Sequence, residues 1–484
     1  MSWRNLLHVV GAVVAAMGVA MATSVAVAMI YGEWSDVPGL SGAAAVTIVT
    51  GAALWRFFDR PGELRSREGF AAVGLAWIAL GLFGALPYLL TGAIPDVTNA
   101  VFEASAGFTT TGASILADPG AMPHGILFWR SLTQWIGGMG IIVLSVAILP
   151  LLGMGAVQLA RAESPGPAPD RLTPRFSETA KRLWYVYAIL TAVEVVFLWF
   201  GDMSFFESVN HAFTTMSTGG FSTHLGSIGA YSPYTQWVVI VFMAVAGMSF
   251  TLHYRVLTWR DPLAYLKSVS LRVYLTIIGA AAVLMTIGTW GDAVATTIRD
   301  AVFTSLTIVT TTGYATTDFS AWVPALGVMI VGLMFVGGMA GSTSGAIKSD
   351  RLLILSQASK TDVRRLIHPR GVFVTRVGKE AVPDLVVETV QTFFLLYMFA
   401  FMTGVFLVAG VGFLADSDLS ITTMVSAVAS SLGNVGPGLE EVGPAGNYED
   451  VPMLSKWVLS SLMIVGRLEI LPILILFNPE LWRK

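Results

Sequence analysis

Apolar runs near or above the ~20 residues that cross a bilayer as a helix recur along the whole chain, for example at 7–31, 70–92, 183–200 and 393–414. That recurrence sets the fold class before any motif is read. A helix satisfies its own backbone hydrogen bonds inside lipid, whereas a membrane barrel would show short segments of alternating polarity. The expectation is an all-α polytopic membrane protein. Only 12% of the 484 residues are charged and 55% are hydrophobic, outside the range of a soluble domain. The first run follows Arg4 and contains Ala26-Val27-Ala28, which looks like a cleavage site. It is too long for a signal-peptide core and reads as a retained anchor. The absence of cysteine removes disulfides, thiolate metal sites and cysteine nucleophiles together.

Charge placement gives orientation, because basic loops stay in the cytoplasm. Arg4, then Arg60, Arg65 and Arg67, then Arg161, Arg171, Arg175, Lys181 and Arg182, then Arg255, Arg260, Lys267 and Arg272 fall in alternate loops. The series continues from Lys348 to Lys379 and ends with Arg483 and Lys484. Intervening loops carry acids such as Glu33, Asp36, Asp96, Asp118, Asp202, Glu207, Asp292 and Asp318. Both termini are therefore expected in the cytoplasm, with Arg130 and Arg299 breaking the pattern. The longest non-apolar stretches, 155–182 and 348–382, are too short for an independent domain.

Four outward-facing segments repeat one pattern: a short helix-like run, small or polar residues around a glycine, then a further spanning run. They are AVFEASAGFTTTGAS (100–114), ESVNHAFTTMSTGGFS (207–222), RDAVFTSLTIVTTTGYAT (299–316) and SAVASSLGNVGPGL (426–439). The aligned glycines are Gly112, Gly219, Gly313 and Gly436; Gly436 is preferred to Gly433 because Val425, Val101 and Val302 then precede their glycines by one interval. The expected organisation is an N-terminal helical hairpin (1–67) and four pseudo-symmetric helix, pore-loop, helix units around one pore: 68–153, 154–262, 263–360 and 361–484.

Non-helical backbone at membrane depth persists only where it lines a wet path or is buried in protein. Four such loops around one axis would form a selectivity filter, in which carbonyls and hydroxyls replace the water shell of a cation. The expected wall is Thr110, Thr111 and Gly112; Ser217, Thr218 and Gly219; Thr311, Thr312 and Gly313; and Asn434, Val435 and Gly436. Glycine permits the dihedrals that successive inward carbonyls demand, and each threonine offers a hydroxyl beside its carbonyl. The fourth loop has no threonine and can offer only carbonyls there. The preceding short helices would aim their negative C-terminal ends at the centre, favouring a cation.

These residues resemble the Trk/Ktr/HKT superfamily of potassium transporters, and within it the bacterial TrkH type. The resemblance spans essentially the whole chain. Its markers are TTTGAS, STGGFSTH, TTTGYATTDF and LGNVGPGL, with WIGGMGIIVLSVAILP (135–150), RAESPGP (161–167), GGMAGSTSGAIK (337–348) and GRLEILPILILFNPELWR (466–483). It implies potassium as the transported ion with no bound cofactor, a homodimer with one pore per protomer, a cytoplasmic TrkA-type nucleotide-binding ring, the bacterial inner membrane, and neither an enzyme nor a nucleic-acid partner.

The run 322–347 breaks at GGMAGSTSG. Such a cluster ends a helix or kinks it. The resemblance makes Gly337, Gly338, Gly341, Ser342, Thr343, Ser344 and Gly345 an intramembrane gate beneath the filter. Arg467, inside the last apolar run, costs several kcal/mol unless it faces a cavity or a carboxylate. By resemblance it faces the pore beside the gate, and Glu469 is expected to anchor neighbouring backbone. Glu194 is expected as a hydrogen-bonded packing residue.

Three other readings fare worse. GLSG (39–42) fits a rhomboid-type serine protease, but Ser41 sits where a helix starts and His8 lies toward the opposite side. GGMAGSTSGAIKS superficially resembles a Walker A loop, but Ile347 precedes the lysine and no strand precedes the loop. A symporter coupling potassium to protons or sodium shares the scaffold. No buried Asp/His chain suited to proton relay is visible in the sequence, so a gated, channel-like path driven by membrane potential is preferred.

Overall fold

The computed structural model describes residues 3–58, 66–147, 173–259, 261–291, 293–477 and 479. Arg60, Arg65, Arg161, Arg171, Arg260, Asp292, Arg483, Lys484 and the RAESPGP motif lie outside the described residues. The chain opens with a helix pair, α1 (Trp3–Ile30) and α2 (Val37–Phe57). A β-carbon at Gly11 or at Gly51 would overlap backbone of the facing helix, so the two helices meet at small residues.

Four units follow with one element order. The first is α3 (Ser66–Gly84), its continuation α4 (Leu86–Thr91), the short α5 (Val97–Phe108) and α6 (His124–Ala147). The second is α7 (Thr173–Trp199), the short α8 (Phe205–Met216) and α9 (Pro233–Ala246), which bends by 96° into α10 (Phe250–Trp259). After the short α11 (Leu263–Lys267) come α12 (Val269–Gly288), α13 (Val294–Val309) and α14 (Pro324–Leu333). The polar helix α15 (Ser349–Ile367) leads to α16 (Asp384–Leu414), α17 (Ile421–Gly433), α18 (Met453–Arg467) and α19 (Leu471–Phe477).

The re-entrant helices α5, α8, α13 and α17 have 12, 12, 16 and 13 residues, too few to cross a bilayer. Three are started by side-chain caps: Asp96 accepts from Asn99 N, Ser204 and Glu207 form a reciprocal capping box, and Ser420 accepts from Thr423 N. Among the described residues, six helices are long and apolar enough to span, or seven with the bent α9–α10 pair. Helix α16 shows the resulting two-sidedness. It exposes Leu395, Phe399, Phe406 and Phe413, a lipid-facing stripe, and buries Val390, Phe393, Tyr397 and Val408 against the units.

The N-terminal helix pair is tied to the first unit at both ends. At one end, Glu33 accepts from His124 N (2.6 Å) and Gly125 N (3.0 Å), while Tyr31 stacks on His124 at 4.0 Å. At the other, Leu6 packs with Ala71 and Ala72, and Asn5 donates to Glu68 at 3.0 Å.

Candidate ion pathway

The four re-entrant helices end in one backbone motif. Thr110, Thr218, Thr311 and Asn434 all take left-handed dihedrals, with φ of 53°, 54°, 55° and 55°. Two residues later, Gly112, Gly220, Gly313 and Gly436 also have positive φ, at 77°, 76°, 84° and 111°. The loops then close into a ring in chain order. A β-carbon on Gly112 would overlap the Gly219 carbonyl oxygen, one on Gly220 the Thr312 oxygen, and one on Gly313 the Val435 oxygen. One on Gly436 would lie 2.7 Å from the Thr111 oxygen, which returns to the first loop. The four glycines line a common cavity of about 100 Å³ together with Tyr448 and Arg130.

This geometry corrects the register of the second loop. Gly220, not Gly219, is the counterpart of Gly112, Gly313 and Gly436. Ser217 therefore falls one position before the ring, and Gly219 occupies the place of Thr111, Thr312 and Val435. Gly219 is glycine for a separate reason: a β-carbon there would overlap the Gln134 amide group. Gln134 donates from Nε2 to Gly219 O at 2.7 Å and accepts from Phe221 N at 3.1 Å, which fixes its amide orientation.

The threonine hydroxyls also differ from expectation. Thr109 and Thr111 hydroxyls meet at 2.7 Å, and the Thr109 hydroxyl donates to Ser105 O at 2.6 Å. Thr310 and Thr312 repeat this at 2.7 Å, with Thr310 donating to Leu306 O at 2.7 Å. Thr311 Oγ1 accepts from Gly345 N at 2.6 Å. These hydroxyls brace the loops, whereas the Thr110 hydroxyl has no hydrogen-bond partner among the described residues. Of the carbonyls in the three rungs from Thr110, Thr218, Thr311 and Asn434 to the glycines, only those of Gly219 and Gly436 accept a hydrogen bond among the described residues. Every residue of the inner two rungs is buried.

Arg130, the misfit in the charge pattern, is an internal strut. Its Nε and Nη2 each lie 2.8 Å from Glu103 Oε1, Nη1 donates to Ser222 O at 3.2 Å, and the guanidinium sits 4.0 Å from the Phe221 ring centroid. Glu103 also accepts from Ile115 N at 3.0 Å. One buried pair thus joins α5, α6 and the first two loops. The sequence carried a signal for it, since an arginine within an apolar run demands a carboxylate.

Beneath the ring, residues 334–348 leave the helix after α14. Val336–Gly337 pairs in parallel with Ile347–Lys348, drawing the segment into a closed loop. The loop docks in the break between α9 and α10, where Met339 N donates to Gly247 O (2.8 Å) and Phe250 N to Gly341 O (3.0 Å). Its tip contacts the ends of α8 and α9: Thr343 Oγ1 donates to Met216 O at 3.0 Å and to Ala246 O at 3.3 Å. A β-carbon on Gly345 would overlap the Gly433 carbonyl. Gly338 sits beside the Ser344 hydroxyl, Ser342 Oγ donates to Met339 O at 2.6 Å, and Lys348 Nζ donates to Ser344 O.

Arg467 is 2% exposed and donates to Thr343 O at 2.7 Å and to Gly137 O at 3.4 Å. Its partners are carbonyls, not a carboxylate. Glu469, expected to anchor backbone, instead takes the Arg351 guanidinium, which lies 4.2 Å from the Phe393 ring centroid. Glu469 and Ile470 turn the chain out of α18 with φ of 56° and 66°. Glu194 is fully buried, but the Thr215 hydroxyl near it donates to His211 O at 2.7 Å, and neither Glu194 oxygen has a hydrogen-bond partner among the described residues.

A family model described as "TrkH: Cation transport protein" matches residues 40–484. The chain belongs to the TrkH family. It is 37% identical to the Trk system potassium uptake protein TrkH of Salmonella typhimurium over 493 residues, covering 100% of both chains. It is 39% identical to the TrkH of Vibrio parahaemolyticus, again over 100% of both. The crystal structure of the potassium transporter TrkH from Vibrio parahaemolyticus superposes with a TM-score of 0.91 at 36% identity, covering 100% of each chain. TrkH-family membership makes this a membrane transporter and not an enzyme.

Proposed function

We propose that this chain takes up potassium across the bacterial cytoplasmic membrane through a filter built from the four loops. The observation that carries this is the closed, buried ring of four loops, in which a carbonyl of each loop lies against the glycine of its neighbour and most of the rung carbonyls accept no hydrogen bond among the described residues. Buried carbonyls without donors are costly, and a partly dehydrated monovalent cation satisfies several at once. The C-terminal ends of α5, α8, α13 and α17 add negative potential at the same place. The names of the relatives supply the ion.

The loop 334–348 and Arg467 are the proposed gate. They lie directly under the ring, and a guanidinium there opposes cation passage until the two move apart. Flux is then driven by the membrane potential, worth about 2.3 kcal/mol per charge per 100 mV. Both termini face the cytoplasm, where the basic loops lie. The chain pairs as a homodimer, and a nucleotide-binding ring of the TrkA type docks on that face.

Rubidium and sodium flux into liposomes at clamped voltage tests the reading. Gly313→Ser lowers the rubidium-to-sodium ratio, because its β-carbon strikes the Val435 carbonyl. Arg467→Ala raises basal leak. Parent-like behaviour of both variants refutes the filter and gate. Uptake that follows a proton or sodium gradient at fixed voltage replaces passive flux with symport.

A further inference from the structure

The four loops share a fold but not the way their outermost carbonyl is held. In the first three, one carbonyl near the helix end takes two N–H groups from the loop. Ala106 O accepts from Thr111 N (2.9 Å) and Gly112 N (3.2 Å), and Thr214 O from Gly219 N (2.8 Å) and Gly220 N (3.3 Å). Thr307 O accepts from Thr312 N (2.8 Å) and Gly313 N (3.3 Å). In the fourth, Ser430 O accepts from Val435 N at 2.9 Å, but Gly436 N goes to the Ser430 hydroxyl, also at 2.9 Å.

That hydroxyl then donates to Gly436 O at 2.7 Å, and the buried Tyr448 hydroxyl donates to the same oxygen at 2.9 Å. Tyr448 is itself fixed, with its N–H on Ser114 O at 2.9 Å and its ring 5.3 Å from that of Phe102. The consequence is visible in the backbone. Gly436 has φ of 111° where its counterparts have 76° to 84°, and it is buried where they are half-buried. Among the described residues, the carbonyls of Gly112, Gly220 and Gly313 accept no hydrogen bond from the protein.

We infer that Ser430 and Tyr448 are positioning residues that set ion selectivity by holding the Gly436 carbonyl out of the ring. The outermost coordination position is then built from three carbonyls instead of four. Fewer oxygens and a weaker field discriminate less between monovalent cations. Releasing the carbonyl lets it turn toward the axis and complete the position. This rests on the filter reading proposed above.

The test uses the full chain in liposomes, carrying Tyr448→Phe, Ser430→Ala or both, with the rubidium-to-sodium flux ratio as readout and the unfolding midpoint as a control for structure. Tyr448→Phe keeps the ring against Phe102 and removes only the donor. The double variant is expected to raise the ratio about fivefold, the factor carried by one ordinary hydrogen bond, and each single variant by less. An unchanged or lowered ratio in the double variant overturns the inference. If the double variant fails to fold, Tyr448→Phe decides alone, and a ratio below about twice the parent's overturns it. Gly313→Ser in the same preparation separates the two levels: if it too leaves the ratio unchanged, the filter itself is misassigned, and if it shifts the ratio while the double variant does not, only this inference falls.

Discussion

The adjacent glycines of the second loop do different jobs, so replacing each with alanine tests the register directly. At Gly220, with φ of 76°, alanine pays the left-handed penalty of about 1–2 kcal/mol. Its β-carbon also overlaps the Thr312 carbonyl, which is backbone and part of the ring wall. Nothing there gives way without opening the ring, so the combined cost is about 3 kcal/mol or more. Gly219 is not left-handed, and its obstacle is the Gln134 side chain. Overpacking against a side chain costs about 1–3 kcal/mol and is relieved by shortening that side chain.

Gln134→Ala alone strands the buried Phe221 N–H, at about 1–3 kcal/mol. In a double-mutant cycle, Gly219→Ala with Gln134→Ala should be more stable than the sum of the singles by about 1–2 kcal/mol. Gly220→Ala with Gln134→Ala should show no such recovery. The assay is the unfolding midpoint in detergent, followed by tryptophan fluorescence, with rubidium flux on each variant. Recovery for the Gly220 pair and none for the Gly219 pair would return Gly219 to the ring and refute the structural register.

Two further outcomes follow from the supports around the ring. Glu103→Gln leaves the Arg130 guanidinium buried without its counter-charge and should cost about 3–5 kcal/mol, whereas Glu103→Leu with Arg130→Met should recover most of it; unfolding midpoints decide between the two. At the loop before α8, partial burial pushes the Asp202 carboxyl up, but hydrogen bonds from Thr235 Oγ1 (2.5 Å), Ser232 N (2.7 Å) and Ser232 Oγ (2.9 Å) outweigh it and hold the pKa below the ordinary carboxylate value. The lowered pKa means its stabilisation is complete above the ordinary value of about 3.9 and fades as pH falls through the folded value, so the midpoint gap between parent and Asp202→Asn should narrow in acid and stay constant from pH 5 to pH 8.

The architecture was legible because lipid leaves few choices: spans show as apolar runs, and polar glycine-bearing interruptions must be re-entrant. The break at 337–345 and the buried Arg467 were legible on the same grounds. The register of STGGF was not, because two adjacent glycines look alike until one is seen to need a left-handed φ and the other to make room for Gln134. Gly247 and Ser249 carried the same signature as the longer break, yet a three-residue interruption does not announce a 96° bend. Glu469 lies past the end of α18 and pairs with Arg351 because positive φ at Glu469 and Ile470 turns the chain away from the α18 axis, a feature that helical spacing cannot anticipate. Tyr448 and Gln134 are ordinary residues in sequence, and only long-range closure of the ring gives them work.

The contacts of the proposed gate separate a clamped base from a lightly held tip. The base of loop 334–348 is clamped by the strand pairing of Val336–Gly337 with Ile347–Lys348, and by the Met339–Gly247 and Phe250–Gly341 bonds in the α9–α10 break. The tip is held by separable bonds: Thr343 Oγ1 shared between Met216 O and Ala246 O, Gly345 N to Thr311 Oγ1, and Arg467 to Thr343 O. At about 1 kcal/mol net for each ordinary bond and somewhat more for the charged one, withdrawing the tip costs roughly 3–5 kcal/mol. Withdrawing the whole loop also breaks the clamps. The few kcal/mol of coupling that a partner of the proposed kind would supply match withdrawal of the tip alone, between the left-handed positions at Gly341 and Ala346. One tip bond ends on Thr311 of the proposed filter, so in this reading withdrawing the tip also frees that hydroxyl, and variants at Gly345 or Thr311 are expected to change basal flux and ion selectivity together.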